Sequence, residues 1–476
     1  MQDSKRFFAL AFFLLCVYSF CDCSIASFKV DKYRIRLYFE VKLIAMSRTI
    51  VFLLLLVTVF TASYSQVTAI ICKQIIDGKS SAPLKATVIL LDGERIKAIG
   101  QRDIIPKGTQ TVDLSSYTVM PGFIDLHCHP LGDSDDDYQT YHLKNSSAAK
   151  ALQGLKNVQG MLMAGWTAIR VPGDLDVGYA HFDLRNAINK GMFTGPRIFG
   201  AGHWISVTGG GGDLNFFSYE QKGVIVDGLI VDGPEEMRKA VRNEIKYGSD
   251  WIKLLVSGAF MTAGDNPQNV HFSKEELEVA IDEATRRDVP VMAHAHSAES
   301  IKMSVQAGAK TIEHGSFLDD EGIKLMVEKG TYLVPTLTIG KWFLEFNEDS
   351  EALKKAIELT KQHRVGIEAS LTKAIRSGVK VVVGTDLTGS DPGYCANEFS
   401  ELVRVGMTPM QAIQAGTGLA AEALGKSKDF GTLETGKLAD LVAIKGDPLS
   451  DINLLKKVDF VMIGGKIVKN ETGSGK

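Results

Sequence analysis

Gly122-Phe-Ile-Asp-Leu-His127-Cys-His129-Pro130 runs from an apolar, strand-like stretch into two histidines spaced i and i+2. Along a strand, residues at that spacing share a face, so both imidazoles leave the C-terminal end of one element on the same side. Two imidazoles converging on one point begin a site for a borderline metal such as zinc. Taken alone, a His-x-His pair is equally well read as two exposed histidines. Its meaning depends on what the rest of the chain brings to it.

Outward from this segment, short apolar runs alternate with amphipathic ones. Candidate strands lie at 119–126, 167–171, 197–201, 251–256, 289–293, 311–313, 332–337 and 379–384. Ser273 and Glu276 form a capping-box pattern, after which Leu277, Ala280, Ile281 and Ala284 repeat at helical spacing. Thr408-Pro409 starts another helix, with proline where its missing N–H does no harm. Eight strand–helix units predict an α/β fold of the (β/α)8 TIM-barrel type over 119–422, although an open parallel sheet gives the same alternation. The flanks, 66–118 and 423–476, are short β-type runs broken by Asp92-Gly93 and Gly464-Gly465, which are hairpin signals. They are expected to meet in one small composite β-sandwich domain.

The 476 residues are 45% apolar and 23% charged, with a formal net charge of -3. That is ordinary globular composition and leaves no electrostatic case for nucleic acid as the main partner. Cys72, Cys128 and Cys395 are scattered and odd in number, so they suggest no disulfide framework. Ahead of residue 66 lie two apolar runs, 7–16 and 50–60, neither reaching the ~20 residues of a membrane-spanning helix. The second follows Met46-Ser-Arg and ends in Thr61-Ala62-Ser63, the build of a cleavable signal peptide. Residues 46–65 are therefore read as a secretory signal and 1–45 as an upstream extension. The mature chain is expected to be secreted and to carry no stable membrane span.

Four further residues of ligand type sit on or at the end of separate candidate strands: Lys253, His294, His314 and Asp386. In a barrel the C-terminal strand ends ring one face, where the active site sits, so groups remote in sequence converge there. Lys253 needs its own argument. An apolar-flanked lysine commonly snorkels its head to water, and an ammonium has no lone pair for a metal. Burial instead favours the neutral amine, which can add carbon dioxide to become an anionic, two-oxygen carbamate able to bridge cations.

His127-x-His129, Lys253, His294, His314 and Asp386 resemble, in order, the ligand set of binuclear metal hydrolases of the amidohydrolase superfamily. Val119-Met-Pro-Gly122 before the first pair and Gly431-Thr-Leu-Glu-Thr-Gly436 after the barrel carry the same resemblance, over about residues 67–470. Lys253-Leu-Leu-Val-Ser-Gly258 and Ile312-Glu-His-Gly315 are similar to the imidazolonepropionase-related branch, which includes Xaa-Pro dipeptidases and ochratoxinase. The resemblance implies two divalent metal ions, zinc by ligand type. His127, His129 and Asp386 would hold one, His294 and His314 the other, with carboxylated Lys253 between them and Asp386 as general base. It implies cleavage of amide-type C–N bonds in dipeptides or N-acyl amino acids, and a homo-oligomer. His296 and His203 are candidate substrate or catalytic histidines. One stretch departs from the pattern: relatives carry Gly-His-Gly-Asp where this chain reads Gly210-Gly211-Gly212-Asp213. A lactonase or phosphotriesterase on the same ligands, and a silent scaffold, are the competing readings.

Overall fold

The computed structural model describes residues 67–133, 138–221, 223–345 and 351–473. The expected upstream extension and signal peptide lie outside the described residues. Among the described residues, no helix is long and apolar enough to cross a membrane.

The two flanks do meet. Seven strands form one mixed sheet in the order Lys466–Asn470, Phe460–Ile463, Leu441–Lys445, Gln110–Pro121, Val67–Ile75, Val88–Asp92, Arg95–Gly100. Asp92-Gly93 and Gly464-Gly465 turn its two hairpins, with Gly93, Gly464 and Gly465 all at positive φ. The sheet curls: Arg95 on its edge pairs with Leu438, just ahead of Leu441–Lys445. Curling covers an apolar interior of Ile70, Ile89, Leu91, Leu114 and Phe460 without leaving that edge unpaired.

The rest of the chain alternates strand and helix in two parallel sheets. One holds Phe123–Asp125, Trp166–Pro172 and Arg197–Ala201. The other runs Lys380–Val381, Tyr332–Val334, Thr311–His314, Val291–Ala295, Ile252–Leu255, Trp204–Ser206, Leu229–Ile230. All eight expected strand positions are occupied. The third is broken, resuming after Gly202 and His203 as Trp204–Ser206, and so passes from one sheet to the other. At the opposite margins, the Leu126 N–H bonds Val383 O at 3.0 Å and the His129 N–H bonds Leu387 O at 2.9 Å. The expected capping box of Ser273 with Glu276 forms, and Thr408, the expected helix start, makes a second one with Gln411.

The expected strand 119–126 is split at Gly122. There the chain leaves the mixed sheet and enters the parallel one, and a Cβ on Gly122 would lie 2.1 Å from Thr167 Oγ1. A glycine is required because the two strands touch at that point. The mixed sheet is tied on by Arg197, whose guanidinium reaches Asp440 at 2.8 and 3.0 Å.

The loop following Trp166–Pro172 supplies part of the site and is held by a buried ion pair. Lys150 Nζ lies 2.7 Å from Asp176 Oδ1 and donates to Leu175 O at 2.9 Å, with both charged side chains fully covered. Burial pushes the Asp176 carboxyl up, but Lys150, the Ser147 hydroxyl and the Ala180 N–H together hold it below the usual carboxylate range. A folded-state pKa below the unfolded value of ~3.9 contributes stability above that pH and loses it as pH falls through the folded value. Lys150→Met is expected to cost about 3 kcal/mol at pH 7, because a buried carboxylate is left unpaired. Urea unfolding should show that cost shrinking below about pH 4, where protonation removes the orphaned charge.

Candidate functional site

Five imidazoles converge at the C-terminal ends of the parallel strands. His129 and His127 have ring centroids 5.4 Å apart, His127 and His314 5.0 Å, His314 and His296 4.9 Å, and His294 lies 4.6 Å from His314. Ligand atoms of His294, His296 and His314 fall within 4.8 Å of one another, as do those of His127, His314 and Asp386. His129 Nε2 is 3.1 Å from Asp386 Oδ1. Lys253 and Asp386 line the same cavity of about 690 Å3. All six expected metal-ligand residues are thus brought together, and His296 joins them.

Each ring is oriented from behind. His127 Nδ1 is 2.7 Å from Glu313 Oε2, His129 Nδ1 is 2.9 Å from Gly173 O, and His314 Nδ1 is 2.8 Å from Thr336 Oγ1. His296 Nδ1 meets Ser316 Oγ at 2.7 Å. With one nitrogen engaged, the other is aimed by default, which is how outer partners select a tautomer. Burial, then the neighbouring His296 and Lys253, hold His294 well below the ordinary imidazole range, so that it stays neutral. Burial likewise lowers His296 to about 3. Lys253 is pushed down to about 8 by burial, against the pull of Glu313 and Asp386. Asp386 is raised by burial, yet His127 and His129 hold its carboxyl below the usual range.

Backbone strain collects here. Of four non-glycine residues at positive φ among the described residues, three are at the site: His314 at 71°, Thr336 at 49° and Asp386 at 60°. Such conformations cost of order 1–3 kcal/mol each and persist only where the surroundings over-determine them. At His314 the consequence is specific. Strict alternation would send Glu313 and His314 to opposite faces, but the left-handed turn lets both reach His127.

His203 is not brought in. It falls in the break of the third strand, where alternation lapses, and its Nδ1 meets Glu244 Oε1 at 3.0 Å. Its backbone N–H also bonds Glu244, at 2.9 Å, and its ring packs on Tyr179. Among the described residues, it is absent from the cavity wall.

Residues 118–468 match the amidohydrolase family. The chain belongs to that family. Ochratoxinase of Aspergillus niger is 33% identical over 434 residues, covering 85% of this chain and 87% of that protein. A crystal structure of a Xaa-Pro dipeptidase with methionine bound in its active site matches with a TM-score of 0.78 at 35% identity, over 85% of this amidohydrolase and 100% of that chain. An imidazolonepropionase of Acinetobacter baumannii is 25% identical over 395 residues, 76% of this chain and 88% of that protein.

The groups that hold the site histidines of this amidohydrolase are not among the residues its motifs single out. Arg170 is fully buried and donates to both oxygens of Glu313 at 2.8 Å and to Leu126 O at 2.6 Å. Burial raises the Glu313 carboxyl, but Arg170 and His127 outweigh it and bring it to about 2. Asp125, also fully buried, accepts from the His127 N–H at 3.0 Å and the Thr385 hydroxyl at 2.7 Å. The available signal was a charge inside an apolar run, in Thr167-Ala-Ile-Arg170-Val and Phe123-Ile-Asp125-Leu. Glu313→Gln is expected to weaken metal affinity by about 10- to 100-fold, as loss of an outer partner typically does. Competition against a chelator measures this; unchanged affinity would remove Glu313 from the site.

Proposed function

We propose that this amidohydrolase is a binuclear metal-dependent hydrolase of amide-type C–N bonds in small substrates such as dipeptides or N-acyl amino acids. The observation that carries it is the convergence of five buried or half-buried histidines with Lys253 and Asp386 on one cavity. So many polar rings withdrawn from water are costly unless they share a partner. Their chemistry fits divalent cations: neutral imidazoles offer lone pairs, and an ionised carboxylate offers negative charge. On this reading the eight strand–helix units close as a (β/α)8 barrel, and the mature chain acts after secretion.

His127, His129 and Asp386 would hold one cation and His294 and His314 the other. When bound, the two ions, zinc by ligand type, would acidify a water and polarise the scissile carbonyl. Lys253 reaches the neutral amine readily because burial lowers it, so its Nζ lone pair adds to the carbon of carbon dioxide and loses a proton. The resulting carbamate would carry one negative charge shared over two oxygens, a group suited to holding divalent cations. Asp386, kept ionised by the imidazoles beside it, accepts a proton on a carboxylate oxygen and returns it to the departing nitrogen. His296, pinned by Ser316 and by the Ser257 hydroxyl at 2.8 Å, is left to receive the substrate's carbonyl or carboxylate.

Metal analysis of the chain from residue 66, with a panel of dipeptides and N-acyl amino acids, tests the reading. About two metals per chain and chelator-sensitive release of a free amino acid are expected. Asp386→Asn should lower kcat by about 10^2- to 10^4-fold, the usual reach of a positioned acid–base. Two metals with cleavage only of lactones or phosphoesters would replace the amide assignment. No metal after reconstitution with bicarbonate would leave a scaffold protein.

A further inference from the structure

Two Asn-x-Ser/Thr acceptor sequons occur in the chain, Asn145-Ser-Ser147 and Asn470-Glu-Thr472, and the fold treats them differently. At the first, Asn145 Nδ2 donates back to Tyr141 O at 3.2 Å. The nitrogen that would carry a sugar is thus turned onto the preceding helix, Tyr138–Lys144. Asn145 is half-buried, and the Ser147 hydroxyl donates to Asp176 Oδ1 at 2.7 Å, the carboxylate of the buried Lys150 ion pair. The hydroxyl of this sequon is therefore part of the support of the cavity loop. A bulky, hydrated oligosaccharide needs an attachment point that stays in water, and this one is half withdrawn from it.

The second sequon lies in the open. Asn470 is exposed and ends Lys466–Asn470, which pairs on one side with Phe460–Ile463. Among the described residues no strand pairs with its other side. Asn470 Oδ1 accepts the Thr472 hydroxyl at 2.7 Å and the Thr472 N–H at 3.2 Å. A backbone N–H only donates, so the amide oxygen is the atom turned inward, and neither bond occupies Nδ2. The segment is held through its backbone instead: the Glu471 N–H bonds Asp459 O at 2.8 Å, and the Tyr117 hydroxyl donates to Thr472 O at 3.5 Å. Ile467 on this open edge is 46% exposed. Such an edge invites pairing by another chain, which bulk at its end would obstruct.

We propose that Asn470 is an N-glycosylation site of this amidohydrolase. This rests on the secretion reading above, because the sugar donor is met in the secretory lumen. There Asn470 Nδ2 forms a bond to the anomeric carbon of an oligosaccharide carried on a polyprenyl pyrophosphate. The carbon–oxygen bond to the pyrophosphate breaks, that leaving group takes the electron pair, and the amide gives up one proton to a base of the transferase. The full chain, expressed in cultured animal cells, is expected to shrink on treatment with a peptide N-glycosidase. Mass spectrometry should then find an aspartate at position 470. Asn470→Gln and Thr472→Ala should each abolish the shift, Thr472→Ser should keep it, and Asn145→Gln should leave it unchanged. Secreted chain without carbohydrate, or with carbohydrate on Asn145 alone, would overturn the assignment. The chain from residue 66 behind an unrelated secretion signal separates the two readings. If only that form is modified at Asn470, the secretion reading fails and the site stands. If that form reaches the medium unmodified at Asn470, the site is refuted.

Discussion

Arg170, Glu313 and His127 make a chain of guanidinium, carboxylate and imidazole with almost no exposure to water, and the two parallel sheets are assembled around it. Arg170 comes from Trp166–Pro172 in one sheet, and Glu313 from Thr311–His314 in the other. The guanidinium also bonds Leu126 O and Thr311 Oγ1, and lies 4.6 Å from the centre of the Trp251 ring. Each charge is tolerable only because the others are present: a buried ion left without its partner is far more costly than the pair is favourable. Segments that never pair as strands are therefore fixed relative to one another, and the outermost group of the chain is an imidazole on the cavity wall whose other nitrogen lies 3.4 Å from Asp386 Oδ1.

Around that plug, the strand ends are shaped by strain and by buried carboxylates. His314, Thr336 and Asp386 turn left-handed where the strands stop, redirecting side chains that regular pleating would have sent elsewhere. Asp125 joins the first strand end to Thr385 on the last, and Asp174 accepts the Leu131 N–H at 2.9 Å. Both carboxyls are pushed up to about 6 by burial, against the hydrogen bonds that favour their charge. The site histidines thus rest on buried polar residues, Asp125 and Asp174 among them, that are absent from the cavity wall among the described residues. Preorganisation of this kind is what precise placement of reacting groups requires.

Much was legible in the chain. Period-two spacing put His127 and His129 on one side, and the order of apolar runs placed Lys253, His294, His314 and Asp386 at successive strand positions. Capping residues at Ser273 and Thr408 marked helix starts, and Asp-Gly and Gly-Gly marked the hairpins of the mixed sheet. These are local signals, carried by backbone geometry within a few residues. The same locality explains what the residues did not announce. His203 falls in a strand break that no apolar pattern announced, and the curling of seven strands into one sheet depends on contacts between the two ends of the chain.

By itself, then, the sequence determined the types of the site residues, their order and the alternating architecture, because those follow from side-chain chemistry and from periods of two and 3.6 residues. Only the tertiary structure decided which groups stand behind the site histidines, how Glu313 and His314 share His127, and why Gly122 must be glycine. Those depend on segments far apart in the chain meeting within a few ångströms, where desolvation and steric exclusion act. Neither effect leaves a periodic trace in the residues that produce it.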